Sequence, residues 1–424
     1  MKSLRMQQEM TDRGRLEIRV NTRIQARPVS GARVTVSYTG DPQNVIEELI
    51  TDGDGRTETL DLATPPLEYS LEPNVNQPYS EYTVKVEAEG YEPVEVTGSE
   101  LLSGEQSVQQ VDLKLAEGAA FADVTIPDHT LFGEYPAKIP ESEIKPTRES
   151  GEIVLSRVVI PEYIIVHDGA PTDSTARDYY VRYRDYIKNV ACSEIYATWP
   201  DAAIRANILA IMSFTLNRVY TEWYRNKGYD FTITSSTAYD HKWIYGRNIF
   251  DSISLVVDEI FADYLSRPNV KQPILTQYCD GNRVSCPNWM SQWGSKNLAD
   301  QGYSTIQILR NYYGDNMYIN TAEEISGIPS SWPGYDLTIG SSGNKVLQIQ
   351  EQLNVIAEVY SSIPTVYENG YFDEETQDAV EAFQRLFGLP VSGIVDLSDV
   401  VQNSVDLCGC DEDCGAAVGI QKSL

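Results

Sequence analysis

A multidomain chain is predicted: an all-β sandwich, then a larger α+β unit, then a small all-α unit. Three observations predict it. Residues up to about 115 alternate apolar and polar positions with period two. The middle of the chain switches to helical spacing around a run that is apolar on nearly every side. A short helical pattern with one apolar face follows a Pro/Gly/Ser-rich stretch. The length of 424 residues suits about three domains at roughly 150 residues each. An apolar content of 42% is enough to pack cores.

The sandwich is placed over residues 14–117, after a polar tail. Leu16, Ile18 and Val20 share one strand face, Val34 and Val36 a second, and Tyr82, Val84 and Val86 a third, because successive strand side chains point to opposite faces. Asp52-Gly53-Asp54-Gly55 and Gly90-Tyr91-Glu92-Pro93 separate the runs as turns. The first lacks the ligand spacing of an EF-hand and reads as a plain turn. Residues 118–150 are rich in Pro and Glu and read as a linker or extended wrap.

The α+β unit is placed over 151–326. Ile153–Ile160 and Tyr163–Val166 read as its entering strands. From Asp201 a core helix is expected, with Ile204, Ile208, Ile211, Met212, Thr215 and Val219 at helical spacing and Leu209, Phe214 and Leu216 widening the stripe. Phe250 to Leu265 reads as an amphipathic helix ended by Pro268, and Asn297 to Tyr313 as a helix broken around Gly302. The small unit spans 340–403. Val346, Ile349, Gln350 and Leu353 form one helix face, and Ala379, Val380, Phe383 and Phe387 another. Asp373 is positioned to cap the second helix and Gly388 to close it. Residues 404–424 form an acidic tail carrying Cys408, Cys410 and Cys414.

The net charge of −29 argues against a nucleic-acid partner, which needs clustered Lys and Arg, and against docking on an anionic membrane. The charge is uneven. Residues 179–320 hold 14 Lys plus Arg against 13 Asp plus Glu, so the flanks carry the deficit. Residues 161–320 also hold 17 of the 27 tyrosines and 5 of the 6 tryptophans. Such aromatics suit sugar faces and equally fill a core. No run reaches the ~18–20 apolar residues of a membrane span. The first residues have no apolar segment, so no standard secretory signal is expected.

Residues 345–396 resemble the three-helix peptidoglycan-binding domain through Lys345-Val-Leu-Gln-Ile-Gln-Glu-Gln-Leu353, Asn369-Gly-Tyr-Phe-Asp373 and Gly388-Leu-Pro-Val-Ser-Gly393. The first unit is similar to carboxypeptidase regulatory-like sandwiches through Pro28-Val-Ser-Gly-Ala-Arg-Val-Thr-Val36 and Ala88-Glu-Gly-Tyr-Glu-Pro93. Those sandwiches are usually spacers or adhesion modules.

The central unit resembles the stage II sporulation protein D (SpoIID) family in three blocks. They are Asp185 to Pro200 with the following helix, Asp240-His241-Lys-Trp-Ile-Tyr245-Gly246, and Ser291-Gln292-Trp293-Gly294 with Ile308-Leu-Arg-Asn-Tyr-Tyr-Gly314. The family contains lytic transglycosylases, and its catalytic glutamate maps onto Glu194. The resemblance implies a carboxyl that protonates the glycosidic oxygen and then, as a base, takes a proton from a hydroxyl of the same sugar. Its neighbours Ala191, Ile195, Tyr196 and Trp199 would raise its pKa by desolvation. A hydrolase would need a second carboxylate, for which Asp240 is the candidate. Ser291, Gln292, Tyr245, His241 and Trp199 are the expected sugar contacts. The family's polar positions on the following helix are here Asn207, Met212 and Ser213, and its Gln after Asp is His241.

No cofactor is expected to be required. Some relatives hold zinc near the cleft, and Cys279 and Cys286 with His241 could be a smaller, three-ligand version of such a site. A Cys279–Cys286 disulfide or two buried thiols are the other readings. The expected partner is the peptidoglycan glycan strand, with a larger assembly as a further partner. The expected place is the cell wall, a spore layer or the cell exterior. A non-catalytic wall binder and a structural part of a spore layer or phage-tail-like particle remain alternative functions.

Overall fold

The computed structural model describes residues 11–23, 26–116, 122–143, 155, 157–322, 324–326 and 336–396. Two sheets build the first unit. In one, β1 (Asp12–Thr22) pairs antiparallel with β4 (Leu60–Thr64) and parallel with β7 (Gln106–Leu113). The other runs in the order β3 (Asp41–Ile50), β2 (Arg33–Tyr38), β5 (Ser80–Glu87), β6 (Val94–Leu101), β8 (Ala122–Thr125). The period-two faces meet in one core: Leu16, Ile18 and Val20 of β1 pack with Val34, Val36, Val84, Val86, Val111 and Leu113. A short helix, α1 (Glu68–Leu71), follows β4. At the Asp52–Gly55 turn, Asp52 Oδ1 accepts from the backbone N–H of Asp54 and of Arg56, both at 2.9 Å. Gly55 is at φ +72°, and a Cβ there would lie 2.4 Å from the Val20 carbonyl oxygen. The turn needs glycine for its backbone, as a plain turn does.

The central unit is organised around α2 (Tyr183–Glu194) and α3 (Asp201–Tyr220). α3 is buried almost all round, and its core includes Ile204, Ile208, Ile211, Met212 and Phe214. Around it stand α4 (Asp251–Ile260), α5 (Gln292–Asp300) and α6 (Thr305–Tyr313). The expected break at Gly302 lies between α5 and α6, with Gly302 at φ +86° and a Ser304/Gln307 capping box opening α6. The helix expected to reach Leu265 stops at Ile260. Residues Asp263–Ser266 (β14) instead pair with Tyr318–Thr321 (β17). Of the expected entering strand, only Val159–Ile160 (β9) is a described strand, and it pairs with Glu324–Ile325 (β18). Tyr163–His167 (β10) lies between Asp178–Arg182 (β11) and Ile233–Thr234 (β12). Tyr278–Cys279 (β15) pairs with Met290–Ser291 (β16).

Of residues 118–150, expected as a linker or extended wrap, the described stretch 122–143 is a wrap: Ala122–Thr125 extend the first unit's sheet beside β6, and Lys138 and Glu141 bond to the central unit. The first unit is joined to the central one. Ile249–Phe250 (β13), from the central unit, pairs with Val108 and Ser107 of β7. Beside it, Arg247 Nη2 donates to Glu100 Oε2 at 2.6 Å and to the Cys192 carbonyl at 2.6 Å. Asn248 accepts from the Glu100 N–H at 3.0 Å and donates to the Glu100 carbonyl at 2.7 Å. These polar groups are buried and need each other.

In the small unit, α7 (Asn344–Ala357) and α8 (Glu374–Phe387) share a core that includes Val346, Ile349, Leu353, Ala379, Val380 and Phe383. The Asp373 carboxylate accepts from the Thr376 N–H at 2.9 Å, and Gly388 ends α8 at φ 69°. Buried Gln350 and Gln384 each hold a turn through their side-chain oxygens, Gln350 from Asn369 and Gly370, Gln384 from Ser392 and Gly393. Two helices lie among the described residues of a unit expected to have three, and residues 397–424, including the Cys408–Cys414 tail, lie outside them. Among the described residues no helix is long and apolar enough to cross a membrane.

The Arg247–Glu100 pair lies between the first two units with both side chains essentially unexposed. Arg247→Met strands a buried carboxylate and should cost about 3–5 kcal/mol, read as a lower urea midpoint. Pairing it with Glu100→Gln should recover a large part of that loss. A single-variant cost below about 1 kcal/mol, the range of exposed pairs, would show that the two units are not held this way.

Candidate functional site at Glu194

Glu194 is the last residue of α2, and its side chain is completely buried. The chain leaves the helix at once, because Ile195 is extended while its N–H still donates to the Ala191 carbonyl. The carboxyl therefore sits at the negative end of the helix, which disfavours its ionised form. Burial pushes it above the ordinary glutamate range, against the Lys138 ammonium, the Tyr278 hydroxyl and the Lys242 N–H. A carboxyl kept protonated toward neutral pH is what a general acid requires.

The three sequence blocks meet here. From the second, the Lys242 backbone N–H donates to Glu194 Oε1 at 2.6 Å. From the third, Gln292 Nε2 faces Glu194 Oε2 at 3.4 Å and donates to the Glu194 carbonyl at 3.2 Å. Gln292 stands at the start of α5 and is buried. The Tyr278 hydroxyl is close enough to act on the carboxyl but forms no well-aligned hydrogen bond. Among the buried polar atoms of the described residues without a hydrogen-bond partner are four from this region: the hydroxyls of Tyr135 and Tyr278, His241 Nε2 and Gln292 Oε1.

The other expected residues fall differently. Asp240 is not poised to activate water. Its Oδ1 accepts from Arg218 Nε at 2.6 Å, and its Oδ2 accepts from the Tyr224 hydroxyl at 2.7 Å and from the Thr234 N–H and hydroxyl at 2.9 and 2.7 Å. Both oxygens of this buried carboxylate are engaged in holding the loop. His241 is also fully buried, and its Nδ1 lies 2.9 Å from the Tyr186 hydroxyl. Burial, with Lys138 and Arg218 nearby, keeps its pKa far below the usual range, so the ring is neutral. Ser291 caps α5 by accepting from the Gly294 N–H at 2.8 Å. Trp199 is buried and donates from Nε1 to the Ser70 carbonyl at 3.0 Å, which ties the central unit to α1. Tyr245 is 39% exposed and stacks on Tyr179 at 5.0 Å. It lines a cavity between the first two units, which Glu194 does not line. Cys279 and Cys286 are joined as a disulfide, so zinc through these thiols is not what the geometry offers. Among the described residues no group of three or more His, Cys, Asp or Glu is placed to hold a metal.

Sequence reasoning missed Lys138, Tyr135, Tyr278 and Arg218. Arg218, with Asn207 and Asn217, was visible as a polar residue inside an otherwise apolar helix.

The family described as "Putative peptidoglycan binding domain" matches residues 342–398, the small unit. This shows a peptidoglycan-binding domain and is consistent with cell-wall association. No curated protein matches the chain. Among solved structures, the Bacillus anthracis TIE protein aligns at 18% identity over 25% of this chain and 17% of its own, with a TM-score of 0.18. The minor pilin GBS52 of Streptococcus agalactiae aligns at 12% identity over 28% of this chain and 49% of its own, also with a TM-score of 0.18. The chain thus spans less than two thirds of either, and likenesses this weak carry no argument.

Because the folded pKa of Glu194 is raised, its contribution to stability is full below the ordinary value of 4.5 and is lost as pH rises through the folded value. Glu194→Gln should therefore gain stability relative to the wild type as pH rises from about 4 to 7, followed by thermal melts across that range. A constant difference at all pH values would show that the carboxyl is not held protonated.

Proposed function

We propose that the protein attaches to peptidoglycan through its C-terminal domain and cleaves the glycan strand at Glu194 as a lytic transglycosylase. The observation that carries this reading is convergence: three motif blocks far apart in sequence bring Glu194, the Lys242 N–H and Gln292 to one buried carboxyl. Protonated Glu194 gives its proton to the glycosidic oxygen as the bond from the sugar's anomeric carbon breaks. The resulting carboxylate then takes the proton of a hydroxyl on the same sugar, whose oxygen closes on that carbon. The product is an anhydro sugar, Glu194 regains its proton, and neither water nor a second carboxylate takes part. The commitment of Asp240 to Arg218 favours this route over hydrolysis. The Lys242 N–H supports the carboxylate formed midway. No metal or cofactor is needed in this scheme. The setting implied is the cell wall, with glycan strands as partner.

A second reading is favoured by the complete burial of Glu194: a protein that holds the wall without cutting it. Prolonged digestion of purified peptidoglycan, with products resolved by mass spectrometry, separates the two. Anhydro-muropeptides from the wild type and none from Glu194→Gln are expected. Reducing-end products that vanish in the variant would mean hydrolysis. Retention on sacculi with no soluble product at saturating substrate would sink the enzyme reading.

A further inference from the structure

Residues 129–143 run without helix or strand across the central unit and close over Glu194. The segment is clasped at both ends. At its start the Thr130 N–H donates to the carbonyl of Ser193, the neighbour of Glu194, at 3.2 Å. The His129 ring stacks on Tyr196 at 4.5 Å, and Arg283 Nη2 donates to the Thr130 carbonyl at 2.9 Å. At its end the Ile139 N–H donates to the Ala238 carbonyl at 2.8 Å. The Glu141 carboxylate accepts from Arg218 at 2.7 and 2.9 Å, and that of Glu143 accepts from Arg267 at 2.8 and 3.0 Å.

Between the clasps lie Tyr135 and Lys138, both buried and both within the field of Glu194; burial first, and then that carboxyl, push the Tyr135 phenol up. The Lys138 ammonium donates to the Asp240 carbonyl at 2.9 Å and lies 4.0 Å from the centre of the Tyr278 ring.

Leu131 and the buried His129 fasten the start of the segment to the core, and three features mark the rest of it as an occupant of the site. It adds no element to the central unit's sheets or helices. Pro136 and Pro140 bracket Lys138 and pre-set an extended course, which makes docking cheap in entropy. Its docking is also imperfect. Burial pulls the Lys138 ammonium down to about 8, against the attraction of Glu194 and Asp240. The segment's own Tyr135 hydroxyl is without a partner, as are the Tyr278 hydroxyl, His241 Nε2 and Gln292 Oε1 of the central unit. Hydroxyl and acetamido groups of a sugar chain supply both donors and acceptors to such atoms.

We propose that residues 129–143 form an intramolecular competitor of the glycan strand, a strap that lies where the sugar chain passes Glu194 and is displaced by it. The proposal rests on the reading of Glu194 as the glycan-cleaving acid. The strap lowers apparent affinity for glycan by the fraction of molecules in which it is docked, and leaves the chemical step unchanged once it is displaced.

The test uses the full chain and soluble glycan strands stripped of their stem peptides. Glu143→Gln, which loosens the end clasp at Arg267, should lower KM by about tenfold with kcat changed by less than about twofold, the signature of relieved competition. Lys138→Ala should lower KM in the same direction and serves if Glu143→Gln does not fold, with kcat left out of that comparison because the Lys138 ammonium also acts on the Glu194 carboxyl. In parallel, hydrogen exchange of the Glu194→Gln protein should rise across 130–143 when glycan saturates it. Unchanged KM in both variants, with exchange unaffected by glycan, overturns the strap, while Glu194-dependent products would leave the cleavage reading standing. Glycan-induced exchange with no product from any variant upholds the strap as a competitor for bound glycan and sinks cleavage. Neither exchange nor product overturns both.

Discussion

A guanidinium cannot give up its proton inside a protein, and Arg218 is wholly buried in the last turn of α3. The structure around it follows from that constraint. Two carboxylates reach it, Asp240 from the loop before His241 and Glu141 from the strap. The faces of Phe214 and Tyr224 lie 4.8 and 5.5 Å from it. Asp240 is two residues from Lys242, so anchoring it also fixes the backbone N–H that Glu194 accepts. The same cation thus sets the floor of the site and fastens what covers it.

The two acidic groups of this region show how environment divides roles. Asp240 receives a cation, two hydroxyls and a backbone N–H within 2.9 Å. Glu194 receives one short backbone bond and a long amide contact, at the unfavourable end of a helix. One is spent on architecture, and the other keeps unused hydrogen-bonding capacity.

What the sequence disclosed was whatever repeats locally. The strand faces of Leu16–Val20 and Val34–Val36, the apolar run of α3, and the Asp373 and Gly388 ends of α8 all follow from neighbours within a turn or a pleat. What stayed hidden is held by distant partners. β9 and β13 are two-residue strands whose pairing depends on residues far along the chain. The segment before residue 143 has no period of its own, so its composition reads as a linker, yet nearly all its bonds are tertiary. Motif order brought Glu194 and Gln292 together correctly. It could not show that Asp240, written beside His241 like a site residue, answers to an arginine buried in the preceding helix.

The pairing of Ser107 with Phe250 has a consequence for synthesis. The first unit's sheet is completed by a segment about 141 residues downstream. At typical elongation rates of 5–20 residues per second, that edge waits roughly 7–30 s on the ribosome for its last strand. Until then β7 offers an unpaired edge to any other nascent chain. Crowded translation is therefore the moment when this protein is most exposed to pairing with a copy of itself.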